Sequence, residues 1–295
     1  MLNVLITGAS GMLGSALSKN FSEFYNVFST GGSELSDEFP NYKVFDLKND
    51  NYNELISWSN PKIIIHCAAL TNANYCEKNI NEAFEINGIS VNKLMKSTNK
   101  SVAIIYISTD AVFPSVQGFA KESDFVFPEN IYGKSKELGE FFLKTSLDRN
   151  YTIIRTTIVG LNINKQKSGF VEWIINTATK NQEISLFNDV LFTPITVWDL
   201  AEEINFLIKT GNINSEILHI AGEICTKYHF GKKLIDGLCI STEKLVEGSI
   251  SSFKDRAKRS NDQSLDSSFY KKKYKRTLPN LNKTIKKIIS YYEKY

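Results

Sequence analysis

The stretch Thr7-Gly8-Ala9-Ser10-Gly11-Met12-Leu13-Gly14 follows a short apolar run, Asn3–Thr7, and opens a helical pattern that reaches Phe21. Its glycines stand three apart. Gly8 permits a tight turn, Gly11 lets the backbone approach a pyrophosphate, and Gly14 lets the following helix pack against the strand. The exposed N–H groups and the helix N-terminus then attract phosphate oxygens. Glycines also end strands for purely structural reasons, so the pattern alone is weak. Its setting after the first strand, at the start of a βαβ unit, marks a dinucleotide cradle. Gly8, Ser10, Gly11, Met12, Leu13 and Gly14 are therefore candidate cofactor-binding residues.

Outward from this turn, short apolar runs alternate with helical patterns. Strands are predicted over Asn3–Thr7, Asn26–Ser29, Lys43–Phe45, Lys62–Cys67, Val102–Ser108 and Tyr151–Arg155. Runs such as Ile63-Ile64-Ile65 and Val102-Ala103-Ile104-Ile105 are apolar on both faces, as strands of a covered parallel sheet are. Helices are predicted over Gly11–Phe21, Asn51–Trp58, Asn79–Ser97 and Ile131–Leu147. This alternation predicts an α/β fold, a Rossmann-type doubly wound parallel sheet. Beyond Arg155 the pattern loosens, with helices at Gly169–Lys180, Asp199–Lys209 and Leu281–Tyr292 and a strand at Ile217–Ile220. We read residues 1–155 as the dinucleotide-binding domain. Residues 156–295 read as a smaller C-terminal α/β substrate-binding lobe, interleaved with the last strands of the sheet.

Composition bounds the function. Of 295 residues, 42% are hydrophobic and 12% aromatic, enough for a packed core. A net charge of +3 is too small to argue for a nucleic-acid binder. No apolar window has transmembrane length, and no secretory leader precedes the first strand. The four cysteines and three histidines form no metal-ligand pattern, so no metal is expected, and free thiols in a cytoplasmic protein fit best. The basic cluster Lys271, Lys272, Lys273, Lys275 and Arg276 reads as a solvated, frayed tail, with a contact to a substrate diphosphate as the sharper alternative.

The chemistry sits further along. Reducing a ketone needs an acid that protonates the carbonyl oxygen as hydride arrives. A tyrosine near its free pKa of about 10 cycles protons poorly at neutral pH. A lysine one helical turn away lowers that pKa and can hold the cofactor ribose, and residues i and i+4 share a helix face. Both Tyr132-Gly133-Lys134-Ser135-Lys136 and Tyr228-His229-Phe230-Gly231-Lys232 have this spacing, which a chain with 13 tyrosines meets by chance. Position separates them. Tyr132 opens the helix after the fifth strand, which ends in Ser108-Thr109-Asp110 at the crevice expected of a parallel sheet. Thr109 is the preferred donor of a second hydrogen bond to the substrate oxygen, with Ser108 as competitor. The end of the second strand, Ser29-Thr30-Gly31-Gly32, carries no acid to bind a ribose 2′-OH, and its hydroxyls favour NADPH. Thr30 and, after strand three, Asp46 and Leu47 are candidates for the adenosine half. Asp46 also reads as a cap or turn residue.

Together these residues resemble the extended short-chain dehydrogenase/reductase family, and within it the dTDP-4-dehydrorhamnose reductases, which reduce the 4-keto group of a nucleotide-linked 6-deoxysugar. The resemblance runs through Cys67-Ala68-Ala69-Leu70-Thr71, Glu82-Ala83-Phe84-Glu85-Ile86-Asn87, Ser108-Thr109-Asp110-Ala111-Val112-Phe113 and Tyr132-Gly133-Lys134-Ser135-Lys136. It continues in Thr193-Pro194, Asp199-Leu200-Ala201, His219-Ile220-Ala221-Gly222, and Arg259 with Leu265-Asp266. It implies that Ala68, Ala69 and Leu70 line the cofactor site. It makes Tyr132 the acid, Lys136 its partner and Thr109 the polar catalytic hydroxyl, and it turns Thr71, Asp110 and Arg259 toward substrate. It also implies NADPH, with NADH used by some members, a nucleotide-sugar substrate for surface polysaccharide synthesis, and a homodimer in many relatives. Departures collect on the substrate side, at Ala111, Pro114, Ser115 and Ile158 and in Asp189-Val190-Leu191-Phe192. An epimerase or dehydratase of the same family is the alternative enzyme. A non-catalytic, dinucleotide-binding regulatory subunit is the alternative of another class.

Overall fold

The computed structural model describes residues 1–35, 39–146, 148–164, 167–252 and 257–294. The first half runs β1 (Asn3–Thr7), α1 (Met12–Phe21), β2 (Asn26–Gly31), β3 (Tyr42–Val44), α2 (Tyr52–Ser59), β4 (Ile63–His66), α3 (Ala73–Lys78), α4 (Ile80–Phe84) and α5 (Ser90–Ser97). Then come β5 (Ala103–Thr109), α6 (Ile131–Lys144), β6 (Tyr151–Val159), α7 (Phe170–Thr179), β7 (Ile184–Phe187), β8 (Leu191–Phe192), β9 (Pro194–Thr196) and α8 (Val197–Lys209). The chain ends in β10 (Glu216–His219), β11 (Cys225–Thr226), α9 (Lys227–Gly237), β12 (Leu245–Gly248), β13 (Asp262–Gln263), α10 (Ser268–Tyr274) and α11 (Leu281–Tyr292).

The main sheet is parallel, in the order β10-β6-β5-β4-β1-β2-β3, with β9 added beside the end of β6. Strand order reverses between β1 and β4, and a crevice opens there at the C-terminal strand ends. Side chains alternate across the sheet as a two-residue period requires. Val4, Ile6, Ile63, Ile65 and Ile105 join one core, and Leu5, Ile64, Ile104, Tyr106 and Ile153 the other. The first core continues without a break through Phe192, Phe230, Leu234 and Ile288, so the later elements share it. β6 itself runs past Arg155 to Val159, and β9 and β10 extend the sheet from the second half.

Two expectations change. The helix predicted over Asn79–Ser97 is interrupted by a π-helical turn, Glu85–Ile89, between α4 and α5. The basic cluster after Ser267 is not a frayed tail. Lys271–Lys273 lie on α10, where Lys273 pairs with Glu216, and Arg276 clasps Glu203 at 2.8 and 2.9 Å. Those pairs engage Lys273 and Arg276, while Lys271, Lys272 and Lys275 are exposed. α9 and the short strands β7 and β12 have no counterpart among the predicted elements. Among the described residues, no helix is long and apolar enough to cross a membrane.

Two buried polar connections hold the site's framework. Arg155 on β6 meets Glu140 on α6 through Nε at 2.9 Å and Nη2 at 2.6 Å, both side chains inaccessible to solvent, and the Ser108 hydroxyl on β5 donates to Glu140 at 2.6 Å. One carboxylate thus ties two strands to the helix bearing Tyr132 and Lys136. In the second connection, the Thr7 hydroxyl donates to His66 Nδ1 at 2.7 Å and accepts from the Ala68 N–H. His66 Nε2 donates to Ser90, whose own proton goes to the Ile86 carbonyl. Burial drives His66 down to about 3, and His219, buried beside Arg155, to about 4.

Two outcomes are expected. Arg155→Met leaves Glu140 buried without its partner and destabilises the fold by about 3–5 kcal/mol in urea unfolding; a loss under 1 kcal/mol would contradict this role. Both histidines stay neutral when folded but protonate when unfolded below about pH 6.5. Their stabilising contribution is therefore complete above that pH and erodes as pH falls towards 3–4. Thermal melts should show a loss of about 1–3 kcal/mol between pH 7 and 5.5, with a shallower loss in His66→Asn; a pH-independent melting temperature would refute the linkage.

Candidate active site

A cavity of about 1100 Å³ occupies the crevice at the C-terminal ends of the strands, at the upper end of the usual range for ligand sites. The glycine turn forms its floor. Gly8 sits at φ +74°, and a Cβ there would stand 2.6 Å from the Ala68 nitrogen; a Cβ on Gly14 would stand 2.3 Å from the Gly8 carbonyl. The turn therefore needs hydrogen at both positions to bring β1, α1 and the strand-four loop together. The resulting cradle fits the backbone contacts that a dinucleotide's phosphates require.

The sequence-predicted residues converge on this cavity. Gly8, Ser10, Gly11, Met12, Leu13 and Gly14 line one side. Thr30 lines the end of β2, with Asp46 and Leu47 beyond β3. Ala68, Ala69, Leu70 and Thr71 close the strand-four side, and Thr109, Asp110, Tyr132 and Lys136 form the inner wall. Arg259 is the exception, since it lines a second cavity of about 200 Å³. The two cavities share Thr71, Asp110, Tyr132 and Thr157 as a common wall. Asp46 also organises its own turn, accepting from the Lys48 N–H at 2.9 Å and from Asn49 at 2.7 Å, which holds its carboxyl below the usual range.

Tyr132 is delivered by the start of α6. Asn130 caps this helix, its side chain accepting from the Gly133 N–H at 2.8 Å and donating to the Lys258 carbonyl at 2.7 Å. A Cβ on Gly133 would lie 2.2 Å from the Ala111 carbonyl, so glycine lets the first turn of α6 press against the end of β5. That contact sets Tyr132 beside Thr109 and Asp110. The Thr109 hydroxyl donates to Asp110 Oδ1 at 2.8 Å and accepts from the Ala111 N–H at 3.1 Å; Thr157 donates to the other carboxylate oxygen at 2.8 Å. The Ser108 hydroxyl, in contrast, is donated to Glu140, although Ser108 also lines the cavity. Against the expectation that Lys136 lowers it, the Tyr132 phenol stands above its ordinary value because burial pushes it up, and hydrogen bonding with Thr109 only partly pulls it back.

One turn along, Lys136 is 1% exposed, with Nζ 4.0 Å from the centroid of the Tyr106 ring. Burial lowers it to about 7, opposed by the negative charge of Glu140. A cation–π contact of this kind stabilises the charged form in a partly dry site. The Tyr106 hydroxyl donates to the Asn87 carbonyl at 2.8 Å. Asn87, on the π turn, accepts from the Leu70 N–H at 2.7 Å and donates to Ser135 on α6 at 2.9 Å. The turn thus joins the cofactor-side loop to the Tyr132 helix, a use typical of π bulges near functional sites.

Sequence reasoning assigned no role to Asn87, Asn130, Lys258, Lys227 or Lys167. Asn87 lay inside a quoted motif, and Asn130 carried the helix-cap signal; the others carried none. Lys258 pairs with Glu129 at the rim of the smaller cavity. Lys227, at the start of α9, holds its ammonium 3.4 Å from the centroid of Phe192; burial lowers it to about 8, with Asp110 pulling it back up. Tyr228, of the rejected second pair, packs partly buried against the core. The described residues contain no group of three or more side chains suited to a metal ion.

Comparison with known proteins adds to this geometry. The profile described as "RmlD substrate binding domain" matches residues 2–294. The spore coat polysaccharide biosynthesis protein SpsK of Bacillus subtilis is 32% identical over 241 residues, covering 80% of this chain and 79% of that one. The methionine adenosyltransferase 2 subunit beta of Rattus norvegicus is 27% identical, covering 82% of this chain and 74% of its own. Among solved structures, a dTDP-4-dehydrorhamnose reductase from Bacillus anthracis in complex with NADP superposes with a TM-score of 0.86 at 28% identity, covering 99% of this chain and 100% of that one. The chain belongs to the RmlD substrate-binding-domain family, within the extended short-chain dehydrogenase/reductases.

Proposed function

We propose that this protein reduces a 4-keto-6-deoxy sugar carried on a nucleotide, using NADPH, to supply a precursor for surface polysaccharide. The observation that carries the reading is the shared wall of the two cavities, where Tyr132 and Asp110 face both chambers, with Thr109 and Lys136 on the cofactor side. The larger chamber suits the dinucleotide. The smaller, lined by Arg259, suits the charged nucleotide end of the substrate. Residues 156–295 then act as the substrate-binding lobe, while still sharing the sheet and core with residues 1–155.

In this reading the bound nicotinamide supplies the hydride, and the chain's own residues manage the proton. Tyr132 holds the proton that goes to the carbonyl oxygen. Lys136, as ammonium, stabilises the phenolate left behind and braces the cofactor's ribose. Thr109 turns its hydroxyl from Asp110 to the carbonyl oxygen, aligning it while Asp110 stays held by Thr157. Arg259 and Thr71 orient the substrate. A nucleotide-sugar reductase of this family fits the spore coat polysaccharide biosynthesis name of the Bacillus relative.

A second reading is a regulatory subunit, supported by the similarity to the methionine adenosyltransferase subunit. A reductase needs the Tyr132–Lys136 pair intact, whereas a regulatory subunit does not. The test is NADPH oxidation against a panel of 4-keto-6-deoxy sugar nucleotides. Tyr132→Phe should lower kcat/KM by about 10²- to 10⁴-fold while NADPH affinity stays within about twofold. Tight NADPH binding without turnover of any member of the panel would instead favour the regulatory reading.

A further inference from the structure

The end of β2 poses a problem of charge. The position that receives the adenosine ribose in this fold carries either an acid for the 2′-OH or a cation for a 2′-phosphate. Here Ser29-Thr30-Gly31-Gly32-Ser33 supplies neither. The corner is nevertheless built closely. A Cβ on Gly31 would lie 2.5 Å from the Tyr42 hydroxyl and 2.7 Å from Ser10 Oγ, so the Ser10 hydroxyl stands directly over the end of β2. Ser10, Thr30, Gly31, Gly32 and Ser33 all line the larger cavity at this point.

A cation reaches this corner from elsewhere in the chain. Lys167, in the segment between β6 and α7, places Nζ 3.0 Å from the Ser10 carbonyl and 3.5 Å from Ser10 Oγ, and it lines the same cavity. Both partners are neutral, so no carboxylate among the described residues matches this charge at the contact. The side chain is exposed and crosses 157 positions of sequence to reach the glycine turn. An ammonium has three donors, which leaves it able to keep a backbone oxygen and take an anionic one.

We propose that Lys167 is the counter-charge for the cofactor's 2′-phosphate and that it sets this protein's preference for NADPH over NADH. Ser10 and Thr30 supply neutral hydrogen bonds to the same phosphate. This rests on the reading of the larger cavity as the dinucleotide site. A cation placed instead along the diphosphate would serve NADPH and NADH equally, so the two cofactors separate these positions.

The test is equilibrium binding of NADPH, NADH and 2′-AMP to the full chain, followed by fluorescence and calorimetry with no sugar nucleotide present. Lys167→Met should weaken NADPH and 2′-AMP roughly 10- to 100-fold, the scale of one charge-assisted hydrogen bond, and leave NADH within about twofold. Lys167→Arg should restore most of the NADPH affinity. Because the side chain is exposed, the variants should melt within a few degrees of the parent. Equal weakening of NADPH and NADH would overturn the proposal in favour of a diphosphate contact, and unchanged affinity for all three ligands would overturn it outright. Failure of the unmodified chain to bind either dinucleotide would strike the cofactor site itself rather than the role of Lys167.

Discussion

The carboxylate of Glu140 is the point on which the site's geometry depends. It lies on the face of α6 that meets the sheet, fully buried, and takes hydrogen bonds from Arg155 on β6 and Ser108 on β5. A buried carboxylate is tolerated only where such donors are fixed, and the guanidinium holds it ionised despite its burial. Because Tyr132, Lys136 and Glu140 are spaced four apart, this one anchor sets the height and rotation of the helix face that carries all three. The close approach of Gly133 to the Ala111 carbonyl then fixes the distance of Tyr132 from Thr109. The setting of Tyr132 beside Thr109 follows from this helix docking.

The electrostatics follow from the same packing. Placing an ammonium at 1% exposure over the Tyr106 ring brings Lys136 to about 7, where a nearby negative charge readily tips it to the cationic form. Tyr106 is itself buried, and its hydroxyl binds the π turn that also holds Leu70 and Ser135 through Asn87. The cofactor-side loop, the π turn and α6 thus form one connected network.

Much of this was legible in the sequence because it is local. The glycine turn, the doubly apolar strands β4 and β5, and the four-residue spacing of Tyr132 and Lys136 are all patterns within a few residues of each other. Their convergence followed from one topological rule, that parallel strands present their C-terminal ends to a common crevice. What escaped is long-range or irregular. No periodicity announces that Lys167 reaches Ser10, or that Arg155 will bury itself against Glu140. The π turn at Glu85–Ile89 lies inside an otherwise helical pattern and has no compositional signature. α9, with the sequence Lys-Tyr-His-Phe-Gly-Lys-Lys-Leu-Ile-Asp-Gly, presents few apolar residues because only Phe230, Gly231, Leu234 and Ile235 are buried. The basic residues near the end misled for a related reason, since their partners Glu203 and Glu216 are distant in sequence.

The central claim is that hydride and proton meet at the wall shared by the two cavities, with Tyr132 as the proton's source. The most direct measurement is isotope transfer from NADPH deuterated at the nicotinamide C4, incubated with a 4-keto-6-deoxy sugar nucleotide and read by mass spectrometry and NMR of the sugar. The account predicts deuterium at the reduced sugar carbon with the unmodified chain, and a rate of label transfer at least about 10²-fold lower with Tyr132→Phe. Label that stays on NADPH under saturating conditions, or transfer at an unchanged rate in the variant, would contradict it.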